Sequence, residues 1–107
     1  MKAMMVLVAA MAAGVTPGAK AQEANVAAGR AFAVEVCAGC HAVLPGEDLS
    51  STIGATPFQE VAETPGMTEY ALSVWFQSSH PTMPNIILEQ DDMRNVIAYI
   101  RSLDRRP

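Results

Sequence analysis

The chain has 107 residues, enough for one small domain and not for two. Half of them are apolar and 17% are charged, which excludes a disordered tail, and two cysteines are too few for a disulfide-built scaffold. A formal charge of −4 argues against nucleic acid as a partner, because binding it needs a basic footprint.

The first segment reads as an address. Met1 and Lys2 give a short charged start, and Ala3 to Val15 is uncharged and mostly apolar. That run is too short for a spanning helix, which needs roughly 20 residues. Thr16, Pro17 and Gly18 break it, and Ala19-Lys20-Ala21 fits the small-x-small cleavage pattern. Residues 1–21 are therefore expected to be a secretory signal peptide, with a mature domain over 22–107 that has no transmembrane segment. The competing reading, an uncleaved anchor, needs a longer apolar run. The mature chain keeps five arginines, no lysine and all eleven carboxylates, a formal charge of −6. Such a domain is repelled by anionic lipid and phosphate and steered toward a basic partner. Its size also makes a core marginal by itself, so a cofactor would help to fill it.

The helices can be read in chain order. Asn25 can cap a helix running to about Cys37, with Val26, Gly29, Phe32, Ala33 and Val36 on one face. Gly29 inside it costs about 1 kcal/mol against alanine, which suits a place where another helix crosses closely. Residues 42–55 read as a loop punctuated by Pro45-Gly46 and Gly54. Next, Thr56 is a natural N-cap, Pro57 suits the first helical position and Gln59 would close a capping box. Pro65-Gly66 ends that short helix. A third follows Thr68, with Leu72, Trp75 and Phe76 on one face. Pro81 and Pro84 bracket an irregular segment, His80 to Asn85. A last helix spans about Glu89 to Leu103, with Asp91 and Asp92 in its first turn and Met93, Val96, Ile97, Ile100 and Leu103 as its apolar stripe. No run alternates well enough to be a strand, so the expected fold is all-α.

The chemistry lies at Cys37-Ala38-Gly39-Cys40-His41, the C-x-x-C-H signal for covalent haem attachment. Two thiols three residues apart can each form a thioether with one haem vinyl group, and the next residue then projects an imidazole under the iron. Export agrees with this, since such attachment occurs outside the bacterial cytoplasm. A thiol–disulfide redox pair would sit at a helix start after a strand. Zinc would want four ligands, and the only other histidine is His80. A disulfide across two residues is strained. For the second axial position the mature chain offers Met67, Met83, Met93 and His80. Met93 lies on a core stripe and Met67 at a helix entry. Met83 sits between two prolines, which reduce the entropy lost in holding a side chain at a fixed point. Its soft thioether would favour ferrous iron, whereas His80 would give a bis-histidine haem of lower potential.

The sequence resembles the small bacterial class I, mono-haem cytochromes c. The resemblance runs from Gly29, Ala33 and Cys37 at four-residue steps, through CAGCH, to ATPF, GMT, HPTMPN and VIAYIRSL. It implies a small helical domain wrapped around one haem c, with thioethers at Cys37 and Cys40, His41 as proximal iron ligand and Met83 as distal ligand. It further implies that Gly29 crosses the last helix near Tyr99. A proline-containing loop would give a backbone carbonyl to the His41 ring, a place that Pro57 fills better than Pro45. Such a bond fixes the ring and strengthens it as a donor.

Two departures stand out. The loop 42–55 lacks the basic residue that pairs a haem propionate in many relatives. Trp75 could donate its indole N–H to a propionate, or be plain core. Mitochondrial relatives dock through lysines, and this mature chain has none, so redox partners must recognise an acidic face or an apolar ring around the haem edge. The expected function is a periplasmic, monomeric one-electron carrier and not an enzyme. The alternatives are the haem subunit of a periplasmic dehydrogenase, or an open-site ligand-binding haem protein if Met83 does not ligate.

Overall fold

The computed structural model describes residues 3–5, 9, 14, 23–78, 83 and 88–107. The expected leader, residues 1–21, lies almost wholly outside these residues, as do His80, Pro81 and Pro84.

Four α-helices make up the described fold: α1 (Val26–Phe32), α2 (Phe58–Ala62), α3 (Glu69–Gln77) and α4 (Gln90–Ser102). Among the described residues there is no strand. Asn25 caps α1 as expected, its Oδ1 accepting from the Ala28 N–H at 3.0 Å. The first helix does not run on as α to Cys37. From Ala33 to Cys37 it is a π-helical turn, closed by Ala38 N–H to Ala33 C=O at 2.9 Å. One extra residue in a turn rotates all that follows by about 100°. Ala33 can thus stay fully buried while Val34, Glu35 and Val36 after it are exposed and Cys37 packs against the core again. Val26 and Val36, expected on the buried face, are 43% and 38% exposed for this reason and because Val26 opens the helix.

The central packing is α1 against α4. Gly29 lies where they cross. A Cβ there would stand 2.9 Å from Tyr99 Cβ and nearer still to the Asn95 carbonyl. The crossing is locked by the Asn25 N–H, which donates to Asn95 Oδ1 at 2.8 Å. The α4 stripe delivers the core as read: Val96, Ile97, Ile100 and Leu103 are buried, and Met93 packs partly against them. Tyr99, also buried, donates its hydroxyl to the Val43 carbonyl at 2.6 Å. Thr68 caps α3 through Ala71 N–H at 3.1 Å.

The expectation for α2 needs correction. Pro57, not Thr56, stands at the N-cap, and no side chain caps that helix. The Phe58 N–H is instead tied across to the Ala42 carbonyl at 2.8 Å. Gln59 does not reach back to a capping box. It is drawn inward, where its Oε1 accepts from Gly46 N–H at 3.0 Å and its Nε2 donates to Leu103 C=O at 2.6 Å and Glu63 Oε1 at 2.8 Å. A buried amide is tolerated because all these groups are satisfied. No helix among the described residues is long and apolar enough to cross a membrane.

Candidate functional site

The cysteine turn follows the π-helical turn directly. Backbone bonds from Cys40 N–H and His41 N–H to Cys37 C=O, at 3.1 and 2.9 Å, fold it back on the helix end. The loop behind it is fastened to this turn: Ser51 Oγ donates to Gly39 C=O at 3.0 Å, Thr52 N–H to Cys40 C=O at 3.2 Å, and Ala42 N–H to Ser50 Oγ at 2.9 Å. Gly54, with φ +90°, lets the loop reverse where a side chain would be strained. The two thiols are not joined to each other. Cys40 is exposed; burial pushes the Cys37 thiol up to about 11, so it stays protonated.

A cavity of about 360 Å³ opens beside this turn. Cys37, Cys40 and His41 line one part of it, and Met67, Trp75 and Met83 line others. Phe58, Leu72, Phe76 and Ile100 give it an apolar wall. The His41 ring packs against Phe58, with centroids 5.4 Å apart and planes at 48°.

The tautomer of His41 follows from its partner. Nδ1 lies 2.7 Å from the Thr56 carbonyl oxygen. A carbonyl only accepts, so Nδ1 carries the proton and Nε2 keeps the lone pair available to a metal. The expectation of a Pro57 carbonyl is off by one residue. Pro57 C=O accepts the Val61 N–H at 3.0 Å as the first bond of α2 and is not available to His41. Pro57 is buried and does not line the cavity; its contribution is to set the peptide whose carbonyl belongs to Thr56. The signal was present in the sequence: an X-Pro unit that opens a helix has its own carbonyl committed, which leaves the carbonyl before it free.

The residues fit a covalently held haem. The cavity is large and mostly apolar, two separate thiols stand at its edge, and an imidazole of fixed tautomer shares it with thioethers. Met83 and Met67 both reach the wall, whereas Met93 packs into the core instead. Trp75 is 54% exposed and lines the cavity, so it is not plain core. The sequence reading missed Phe58 as the ring against His41, and Val61, Leu72, Phe76 and Ile100 as wall. Apolar spacing marked Leu72, Phe76 and Ile100 as buried but not as facing a cofactor, and Phe58 and Val61 sit in a helix too short to show a period.

Neither a curated protein nor a solved structure matches the chain significantly. The family model for cytochrome c matches residues 26–104. That match takes in the cysteine turn together with the two helices that cross at Gly29, and the chain belongs to the cytochrome c family, whose members bind covalently attached haem c.

Proposed function

We propose that this protein is an exported, mono-haem one-electron carrier of the periplasm. In this reading Cys37 and Cys40 carry the haem, and His41 and Met83 ligate its iron. When bound, the haem supplies one-electron chemistry by alternating between ferric and ferrous iron. The observation that carries the reading is the Nδ1–H bond of His41 to the Thr56 carbonyl on the wall of the cavity that Met83 also lines.

That bond does two things. It holds the imidazole in one orientation, and it makes Nε2 a stronger donor. Met83 adds a soft, neutral sulfur, which favours the reduced state and raises the potential. With His41 and Met83 both holding the iron, the chain would leave it no place for a substrate, so the protein would carry electrons and not catalyse. Phe58, Leu72, Phe76 and Ile100 exclude water from the inner wall, which limits solvent rearrangement as the charge changes. The apolar start, residues 3–15, and the small-x-small site ending at Ala21 support export.

The test is an absorption spectrum of protein exported in a host with haem-attachment machinery, read ferric, ferrous and after denaturation. Haem that stays with the denatured chain, a low-spin ferrous spectrum and the weak ferric sulfur-to-iron band are expected. Met83→Ala should abolish that band, raise the high-spin fraction and lower the potential; Met67→Leu should leave all three unchanged. A Met83→Ala protein with an unaltered spectrum would remove Met83 from the iron.

A further inference from the structure

We propose that Phe58 is a positioning residue for the iron ligand, its ring fixing the tilt of the His41 imidazole. The proposal rests on the carrier reading and deepens it by naming a residue that acts on the iron through His41.

The main chain on both sides of His41 is already fixed. The His41 N–H donates to Cys37 C=O at 2.9 Å. Ala42, which follows, is held at both ends: its N–H donates to Ser50 Oγ at 2.9 Å, and its carbonyl accepts from the Phe58 N–H at 2.8 Å. What the main chain leaves open is the attitude of the ring. The bond to the Thr56 carbonyl, at 2.7 Å, settles which way Nδ1 points. A carbonyl accepts over a broad range of directions, so this bond by itself leaves the imidazole free to rock about the line from Nδ1 to the oxygen.

A second contact is needed to stop that motion, and Phe58 makes it. The two ring centroids are 5.4 Å apart with planes at 48°. Among the described residues Phe58 is the one aromatic ring against His41. An aromatic pair at this separation favours one arrangement over another by about two- to tenfold. Phe58 is itself held. It is 5% exposed and packed into the core, and Gln59 beside it is anchored to Gly46 and Leu103. Residues 56–58 thus grip the histidine three times: through the Thr56 carbonyl on Nδ1, the Phe58 ring against the imidazole, and the Phe58 N–H on the residue that follows. Phe32 offers a comparison, since it too packs against the core but lines no part of the cavity.

The consequence lies in electron exchange. The plane of a ligating imidazole sets how its π orbital faces the iron. A ring free to rock settles differently in the ferric and ferrous states, and each electron transfer then carries that rearrangement. A ring held by the chain from two directions keeps one plane in both states.

The experiment uses the haem-loaded protein and nuclear magnetic resonance. In the ferrous wild type, Overhauser contacts between the Phe58 and His41 rings are expected. In the ferric wild type, the haem methyl shifts should fall on straight lines against reciprocal temperature, as a single imidazole plane requires. Phe58→Leu keeps an apolar side chain in the core and removes the flat ring. It should narrow the spread of the ferric methyl shifts and slow electron self-exchange about two- to tenfold, the bias that the contact supplies. Phe32→Leu removes a core ring away from the cavity and should leave both readings unchanged. Missing ring-to-ring contacts, curved temperature plots or equal effects of the two variants would overturn the positioning role; if Phe58→Leu takes up no haem, the two wild-type readings decide. A wild type without covalent low-spin haem is a different failure, which removes the carrier reading and this inference with it.

Discussion

Replacing Gly29 by alanine should destabilise this protein by about 2–4 kcal/mol, although alanine is the better helix former. The opposing contributions can be set side by side. In an exposed helix interior the substitution would stabilise by about 1 kcal/mol. Here the new Cβ meets the Asn95 carbonyl and stands 2.9 Å from Tyr99 Cβ. The carbonyl belongs to the α4 backbone and cannot rotate away, so the helices must part. Overpacking of this kind costs roughly 1–3 kcal/mol, occasionally more. Parting them also strains the Asn25 N–H bond to Asn95 Oδ1, which is worth about 1 kcal/mol. It further loosens Ala33 and Val96, both fully buried between the same helices.

Against a total stability of about 5–15 kcal/mol, such a loss is severe. For a domain of this size it lowers the thermal midpoint by roughly 10–25 °C. Thermal unfolding of the ferric haem-loaded protein, followed by far-ultraviolet circular dichroism, measures it. Gly29→Ser should be at least as damaging, since it adds a hydroxyl to the same Cβ. A Gly29→Ala protein as stable as the wild type would refute the close crossing and with it the reason for glycine at this place.

Gln59→Leu should cost about 2–4 kcal/mol in denaturant unfolding, because it leaves the Gly46 N–H and the Leu103 carbonyl without their partner; a neutral result would mean that water replaces both bonds. The bond from Arg105, then that from Gln59, holds the Glu63 carboxyl below its ordinary range. A depressed carboxyl value contributes stability in full above the unfolded value, near pH 4.3, and loses it as the pH falls through the folded value. Glu63→Gln should therefore lower the thermal midpoint at pH 7 and match the wild type near pH 2; a gap of constant size would exclude this linkage. Removing the attachment thiols, Cys37→Ala with Cys40→Ala, leaves the cavity of about 360 Å³ without its contents. At about 24 cal/mol per Å³ this approaches 9 kcal/mol as an upper bound, so the haem-free chain should show no cooperative thermal transition, and a sharp one would contradict the reasoning.

What was legible in the sequence was mostly local. Asn25 and Thr68 read correctly as caps because an N-cap is satisfied by atoms two or three residues away. The α4 stripe read correctly because its period is set by one continuous helix. Thr56 and Gln59 carried equally good local signals and were misread. Tertiary partners outbid the cap: Ala42 takes the Phe58 N–H, His41 takes the Thr56 carbonyl, and Gly46 and Leu103 take Gln59. The π-helical turn left no trace, since an inserted residue needs no special residue type. It nevertheless decides which way Val36 and Cys37 face. At the site, Cys37, Cys40 and His41 were plain from their spacing. Met83 stood out by its proline-bounded setting, and it lines the same cavity as these three. The Thr56 carbonyl was missed by one residue because the Pro57 carbonyl, which looked equally available, is taken by the first bond of α2.

The loop from Ala42 to Thr56 owes its fixed position to α4 as much as to the cysteine turn. Tyr99 holds its start through the Val43 carbonyl, with a phenol whose pKa burial raises and which therefore stays a neutral donor. Gln59 holds Gly46 and at the same time the end of α4 at Leu103. Ser51 and Thr52 fasten the middle to Gly39 and Cys40, and the Thr56 carbonyl closes the far end on His41. Beyond its first residues, Ala42 to Leu44, which reach the core, this loop buries little apolar surface with which to order itself. These hydrogen bonds supply the order instead. The bond to Nδ1 is therefore only as rigid as the α1–α4 crossing beneath it. Glycine at position 29, which weakens α1 by itself, is what lets α4 come close enough to hold the loop that orients the histidine.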